Sequence, residues 1–167
     1  MVERILFDTV ALWGLIFVNS KYHRPVVKVI RGKHVVIHSI CFHELVYPAY
    51  KLESNGGRNI REGLELIRSL AKTYVNIVEK YRALFKIDKL TVVPLTVNDL
   101  VKAYELILKE KKTFIEERKG YQPSIVDAVV ASLWENLKAK LLTDDEKLIK
   151  YGEKHKLPYL KISEIKP

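Results

Sequence analysis

Cysteine, methionine and glutamine occur once each among the 167 residues of the chain. A lone Cys41 cannot form an intrachain disulfide and fits a reducing cytoplasm. Long apolar runs are missing as well, and no stretch approaches the ~20 residues that a membrane-spanning helix needs. The amino terminus, MVERILFD, carries a Glu–Arg pair and runs straight into a strand pattern, unlike a signal peptide. No internal repeat or low-complexity tract is present. These absences exclude a disulfide scaffold, a membrane span and a disordered tail, and predict one domain of ordinary size.

Charge and apolar residues are plentiful. Hydrophobic residues make up 48% and charged residues 29%, with a net charge of +9 and a pI near 9.5. The excess of Lys and Arg favours a polyanion such as nucleic acid as partner, although a basic surface does not name one. The abundance of Lys and Glu beside so little Gln, Cys and Met also matches a heat-adapted surface.

Strand and helix patterns alternate. ERILF (3–7) reads as a short buried strand ending on Asp8 and Thr9, either of which can cap a helix through Ile16. Residues 22–32 are polar and basic and read as a loop, followed by a strand at HVVIHS (34–39). A helix over 40–52 then carries Glu44 in its first turn. SNGGRN (54–59) is a clear break. After it Ile60, Leu64, Ile67, Ala71, Tyr74, Val78, Tyr81 and Phe85 step by four and three, a heptad-like stripe suited to intrachain packing or to a subunit interface. LTVVPL (90–95) is a third strand, and Thr96 caps a helix to about Lys119, stopped by Gly120.

Residues 124–149 organise the rest. Ser124 is an N-cap with Asp127 placed as its capping-box acid, and Val126, Val129, Val130, Leu133 and Leu137 recur at helical spacing. Leu141 and Leu142 form a strand that stops at Thr143, and Asp144 and Asp145 open the last helix. Tyr159–Ile162 is a final edge strand. The expected fold is α/β, a three-layer α/β/α domain over 1–167 with a mainly parallel sheet of about five strands and a helical insertion or extension at about 53–89.

In a parallel sheet all strand carboxyl ends share one edge, where ligands gather. Asp8, Glu44, Asp127 and Asp145 all fall at or just beyond such ends, so they can converge. Clustered carboxylates repel, at ~1.4 kcal/mol per unit of pKa shift, and a divalent cation offsets that directly. Oxygen-only ligands suit Mg²⁺ or Mn²⁺ and not zinc. Each acid also has a bland reading: Asp8 and Asp144 or Asp145 as helix caps, Asp127 as the capping-box acid. Glu44 is harder to explain that way, because Val35, Ile37 and Ile40 lead it towards an apolar edge.

Five segments resemble the PIN-domain nucleases, especially the VapC-type toxins: ILFDTVAL, HSICFHEL, TVVPLTVNDLVKAYEL, SIVDAVVAS and LLTDDEKLI, in the family's order. The resemblance implies a PIN fold and a Mg²⁺- or Mn²⁺-dependent endoribonuclease that hydrolyses RNA phosphodiesters with a metal-activated water. It implies Asp8, Glu44, Asp127 and Asp145 as catalytic metal-binding acids, with Thr9 and Thr143 orienting them through hydroxyl hydrogen bonds. It also implies RNA as substrate, a small antitoxin as partner, a homodimer and a cytoplasmic location. The chain departs from the pattern at Lys147, where many members carry another acid. It departs again at Asp144, often Asn, so that Asp144 and Asp145 could share the ligand role. The alternative is a non-catalytic RNA- or protein-binding module on the same fold. A receiver-like domain would need an Asp after the third strand, where Val93, Pro94 and Leu95 stand.

Other residues fit plainer roles. His34, His38, Cys41 and His43 are spaced poorly for zinc, since alternate strand residues point to opposite faces. Cys41 lies in an apolar run, where a thiol is inert. Trp13 and Trp134 are spaced like core residues. Two basic groups (Lys21, His23, Arg24, Lys28, Arg31 and Lys33; Lys109, Lys111, Lys112, Arg118 and Lys119) suit an RNA path or a solvated face equally.

Overall fold

The computed structural model describes residues 2–45, 82–116 and 120–166. Three strands form the middle of its sheet: β1 (Arg4–Phe7), β2 (His34–His38) and β6 (Lys140–Thr143). Ile5, Leu6 and Phe7 in β1 are all fully buried, as are Leu141, Leu142 and Thr143 in β6. Consecutive strand residues point to opposite sides, so both faces of the sheet must be covered, which gives three layers.

β3 (Lys89–Val93) and β7 (Tyr159–Lys161) complete a five-stranded sheet in the order β3-β2-β1-β6-β7. Every neighbouring pair is parallel. The chain proceeds outward from β1 to β2 and β3, then returns to place β6 on the other side of β1. Strand order therefore reverses between β1 and β6, which opens a crevice beyond their carboxyl ends.

Helices α1 (Thr9–Ile16), α2 (His23–Ile30), α3 (Ile40–Leu45) and α4 (Val97–Lys109) come in that order along the chain. After them come α5 (Lys111–Phe114), α6 (Ile125–Leu137) and α7 (Glu146–His155). A two-stranded antiparallel ribbon, β4 (Ile115–Glu116) with β5 (Gln122–Pro123), precedes α6. A 3₁₀ turn at Ile162–Glu164 closes the chain. α1 packs on α2 and α3, and α4 packs on α6. Among the described residues, no helix is long and apolar enough to cross a membrane.

Several expectations need correction. Residues 23–30 are a helix and not a loop: Val26 and Ile30 turn inward while Arg24 and Lys28 stay at the surface, and Pro25 sits in the first turn, where it breaks no helical hydrogen bond. The Thr96 helix has the expected cap, in fact a full capping box with Asp99, but it ends at Lys109 and gives way to α5 and the ribbon. Ser124 is at the N-cap position of α6 yet makes no side-chain cap bond, so the box with Asp127 does not form. Glu44 lies past the first turn of α3, whose described part ends at Leu45. The buried residues of α6 are Ala128, Val129, Val130, Ala131 and Trp134, a face rotated from the row of branched residues that the spacing marked. Most of the heptad stripe, from Ile60 to Tyr81, lies outside the described residues. Phe85 and Ile87 at its end join the core.

α4 leaves Val97, Val101, Tyr104 and Leu108 exposed in one row, opposite its buried Ala103, Leu106 and Ile107. Trp134, on α6, is fixed by two hydrogen bonds from its indole N–H, to Ala139 O at 3.1 Å and Pro158 O at 3.2 Å. Its ring lies flush against Gly152 of α7: an added Cβ would come within 2.3 Å of Cη2. Alanine in place of glycine gains ~1 kcal/mol of helix propensity, but forcing a methyl into a pinned ring costs about 1–3 kcal/mol. Gly152→Ala should therefore unfold at lower urea concentration than wild type with an unchanged slope; an unaltered or higher midpoint would show that the ring can move.

Candidate active site

Asp8 comes directly after β1 and is the N-cap of α1, its Oδ1 accepting from the Ala11 N–H at 2.7 Å. Its other oxygen, Oδ2, accepts a hydrogen bond from the Thr143 hydroxyl at the end of β6. Thr143 Oγ1 in turn accepts from the Asp145 N–H at 2.9 Å. One buried hydroxyl thus ties together the two acids on either side of the strand-order reversal. Asp145 caps α7 through Oδ1, which accepts from the Lys147 and Leu148 N–H groups at 2.7 and 3.2 Å. Thr9, the first residue of α1, donates its hydroxyl to Glu44 Oε2.

Asp127 projects from the first turn of α6. Ser124, released from capping, donates instead to Glu116 Oε1 at 3.2 Å. Lys147 reaches across from α7, its Nζ 2.6 Å from Asp127 Oδ2, 3.0 Å from Glu116 Oε1 and 3.1 Å from Ser124 Oγ. Asp144 is not part of this arrangement: its Oδ1 accepts from the Ser163 N–H at 2.9 Å and anchors the final 3₁₀ turn.

The electrostatics show that the acids sense one another. Asp8, only 3% exposed, is pushed from its ordinary 3.8 up to about 7 by burial, with the charges of Asp145 and Asp127 adding to the rise against the bonds from Thr143 and Ala11. Burial and then Asp145, with a further push from Glu44, raise Asp127 to about 6, while Lys147 pulls the other way. Burial alone would lower the Lys147 ammonium. Asp127, Glu116 and Asp145 together hold it well above the ordinary lysine value. Asp145 thus bears on both raised acids and Glu44 on Asp127, across separations of up to 137 residues.

Oxygen donors only, two of them raised by burial and by neighbouring acids, suit a hard divalent cation. Among the described residues no three His, Cys, Asp or Glu side chains are already gathered about one point. The contacts supply the reason: Asp8 and Glu44 have each closed on a threonine hydroxyl, Asp145 on a helix end and Asp127 on an ammonium. A cavity of about 500 Å³ opens alongside, lined by Ser39, Ile40, His43, Leu95, Ile125 and Val126. Two of its lining residues, His43 and Val126, are the chain neighbours of Glu44 and Asp127.

The remaining candidates fall elsewhere. Cys41 is fully buried and its thiol is pushed far up by burial. His34 Nε2 pairs with Thr91 Oγ1 at 2.9 Å. His38 accepts from the Ile40 N–H at Nδ1, 3.2 Å, so Nε2 carries the proton, buried and 3.8 Å from Asp99 Oδ2. Lys33 is paired with Glu3. Trp134 is core, while Trp13 is partly buried and stacks on Phe17. Sequence reasoning missed Glu116 and the inward reach of Lys147. A lysine two residues beyond a site aspartate was the available signal for the second; nothing in the sequence pointed to the first.

A parallel five-stranded α/β sheet with acids at its reversal point defines the class. The PIN domain family model matches residues 5–154, and the chain belongs to that family. No curated protein matches it in sequence. Its fold is similar to that of a chain of FitAcB from Neisseria gonorrhoeae, with TM-score 0.55, 13% identity and coverage of 96% of this chain and 99% of that one. It is also similar to VapC20 of Mycobacterium tuberculosis, described as a Sarcin-Ricin loop cleaving toxin, with TM-score 0.54, 13% identity and coverage of 89% and 95%. VapBC-1 from nontypeable Haemophilus influenzae gives TM-score 0.52, 15% identity and coverage of 96% and 99%. The fold is thus that of the VapC-type PIN structures.

The raised acids have a consequence for stability. Asp8 and Asp127 hold protons more tightly folded than unfolded, so their contribution is fully present below about pH 4 and is lost as pH rises through about 6 and 7. Asp8→Asn keeps an oxygen for the Ala11 N–H and removes the buried charge. In EDTA it should exceed wild type in stability at pH 8 by ~2–4 kcal/mol, a gap that closes below pH 4. Urea denaturation across that range is the measurement; a variant less stable than wild type at pH 8 would contradict it.

Proposed function

We propose that the chain is a Mg²⁺- or Mn²⁺-dependent endoribonuclease of PIN type, acting as the toxin of a toxin–antitoxin pair. The observation that carries the reading is the Thr143 hydroxyl at the β1–β6 crevice, which donates to Asp8 Oδ2 and accepts from the Asp145 N–H, so that two acids far apart in the sequence meet at one strand edge. Asp8, Glu44, Asp127 and Asp145 are the residues to hold the metal. A bound divalent ion would supply Lewis-acid stabilisation of charge on the phosphoryl oxygens and a more acidic water. Thr143 and Thr9 hold Asp8 and Glu44 through hydroxyl hydrogen bonds, which fix both carboxylates until an ion competes for them. The adjoining cavity gives room for a nucleotide beside the acids, and the net charge of +9 favours a polyanionic substrate.

The rival reading, a non-catalytic RNA- or protein-binding module, draws on one observation: Asp127 is already neutralised by Lys147. The two readings separate in one assay. With Mn²⁺ and a structured RNA, wild type should cleave and leave 5′-phosphate ends, while Asp8→Asn and Asp127→Asn fall by at least ~100-fold. RNA binding without metal-dependent cleavage by wild type would favour the module.

The chain also assembles in this reading, as a homodimer and with a small antitoxin. The exposed row Val97, Val101, Tyr104 and Leu108 supports α4 as an assembly face. Light scattering should give a dimer mass for wild type and a monomer mass for Val101→Lys combined with Tyr104→Lys; an unchanged mass would move the interface elsewhere.

A further inference from the structure

The nuclease reading leaves one feature unused. Lys147 is a cation inside an acidic site, and its ammonium makes three contacts: Asp127 Oδ2 at 2.6 Å, Glu116 Oε1 at 3.0 Å and Ser124 Oγ at 3.1 Å. An ammonium has three N–H donors, so these contacts saturate it. Its main chain is equally fixed, since the Lys147 N–H donates to Asp145 Oδ1 at 2.7 Å in the first turn of α7. This placement is otherwise unfavourable. The ammonium lies by the amino ends of both α6 and α7, where helix dipoles repel positive charge. The acids are what hold it there.

We propose that Lys147 is the resident second cation of the site. It stands against Asp127 where a second divalent ion would otherwise bind, so that the site takes a single divalent ion, on the Asp8 side. The inference rests on the metal-dependent reading above. Its physical basis is exclusion. Two-metal phosphodiester sites hold their ions ~3.5–4 Å apart through a shared carboxylate, and Mg²⁺ binds carboxylate oxygen at ~2.1 Å. Lys147 Nζ already sits on that side of Asp127. A second dication at Asp127 would meet a fixed positive charge at nearly contact distance and would have to displace it from Glu116 and Ser124 as well. Lys147 is thus a positioning residue: it holds Asp127 and Glu116 together and sets how many ions the acids accept.

Mn²⁺ titration of the full chain, read by calorimetry and by electron paramagnetic resonance, tests this directly. Wild type should bind one ion per chain, with no spin–spin coupling between manganese ions. Lys147→Met, which keeps the aliphatic stem and loses the charge, should bind two. Its thermal shift at saturating Mn²⁺ should be at least about twice that of wild type, since each site adds its own stabilisation. Two ions in wild type, or one ion at unchanged affinity in Lys147→Met, would overturn the proposal and leave the nuclease reading standing. No ion in wild type would instead overturn the metal-dependent reading, and this inference with it. The wild-type stoichiometry needs no variant, so a poorly folding Lys147→Met does not stall the test.

Discussion

The site depends on one hydroxyl group. Thr143 ends the strand next to β1 and is fully buried, and its oxygen receives a hydrogen bond from the Asp145 N–H while giving one to Asp8. A threonine suits both demands made of it. Its branched Cβ fits a strand packed on both faces, and its hydroxyl can donate and accept at once. Valine would fill the same space and leave Asp8 without that donor. The Asp8 carboxylate and the main chain of Asp145 are therefore joined by a bridge across the strand-order reversal, where the fold leaves the sheet edge open.

Helix capping and site chemistry are compatible uses of one side chain. Asp8 caps α1 with Oδ1 and meets Thr143 with Oδ2, and Asp145 caps α7 with Oδ1. A carboxylate has acceptor sites enough for both tasks. The cap fixes the side-chain rotamer, which is what a preorganised site needs. Asp127 differs. Its expected partner Ser124 has turned to Glu116 and Lys147, so Asp127 is held by a charge and not by its own helix. Both arrangements keep acids in a crevice that burial makes hostile to them.

The fold was legible where patterns were local. Continuous apolar runs in ILF and LLT marked strands covered on both faces, and acids directly after them marked helix starts. The alternation of elements then implied a parallel sheet and placed Asp8, Glu44, Asp127 and Asp145 at one edge. What stayed hidden was set by contacts between distant residues. The 22–32 segment reads as basic because Arg24, Lys28 and Arg31 outnumber the two residues that bury, Val26 and Ile30. The ribbon at Ile115–Glu116 and Gln122–Pro123 is too short to leave a periodic signal, so Glu116 could not be seen as a neighbour of Lys147, 31 residues away. The fate of Ser124 depended on that same contact. Asp144 and Asp145 look alike in the sequence; the distant Ser163 N–H binds the first, while the second caps α7 and bonds Thr143.

The two ends of the sheet bury different chemistry. At the amino ends of β6 and β7, Trp134 links the Ala139 and Pro158 carbonyls and lies against Gly152, while the charges on that side, Glu3 with Lys33 and Lys140, pair at the surface. The opposite side is held by carboxylates, hydroxyls and an ammonium. Salt and pH act on buried charges far more than on the tryptophan's neutral bonds. A chain built this way can change its ionic crevice while the tryptophan clasp goes on securing the same scaffold.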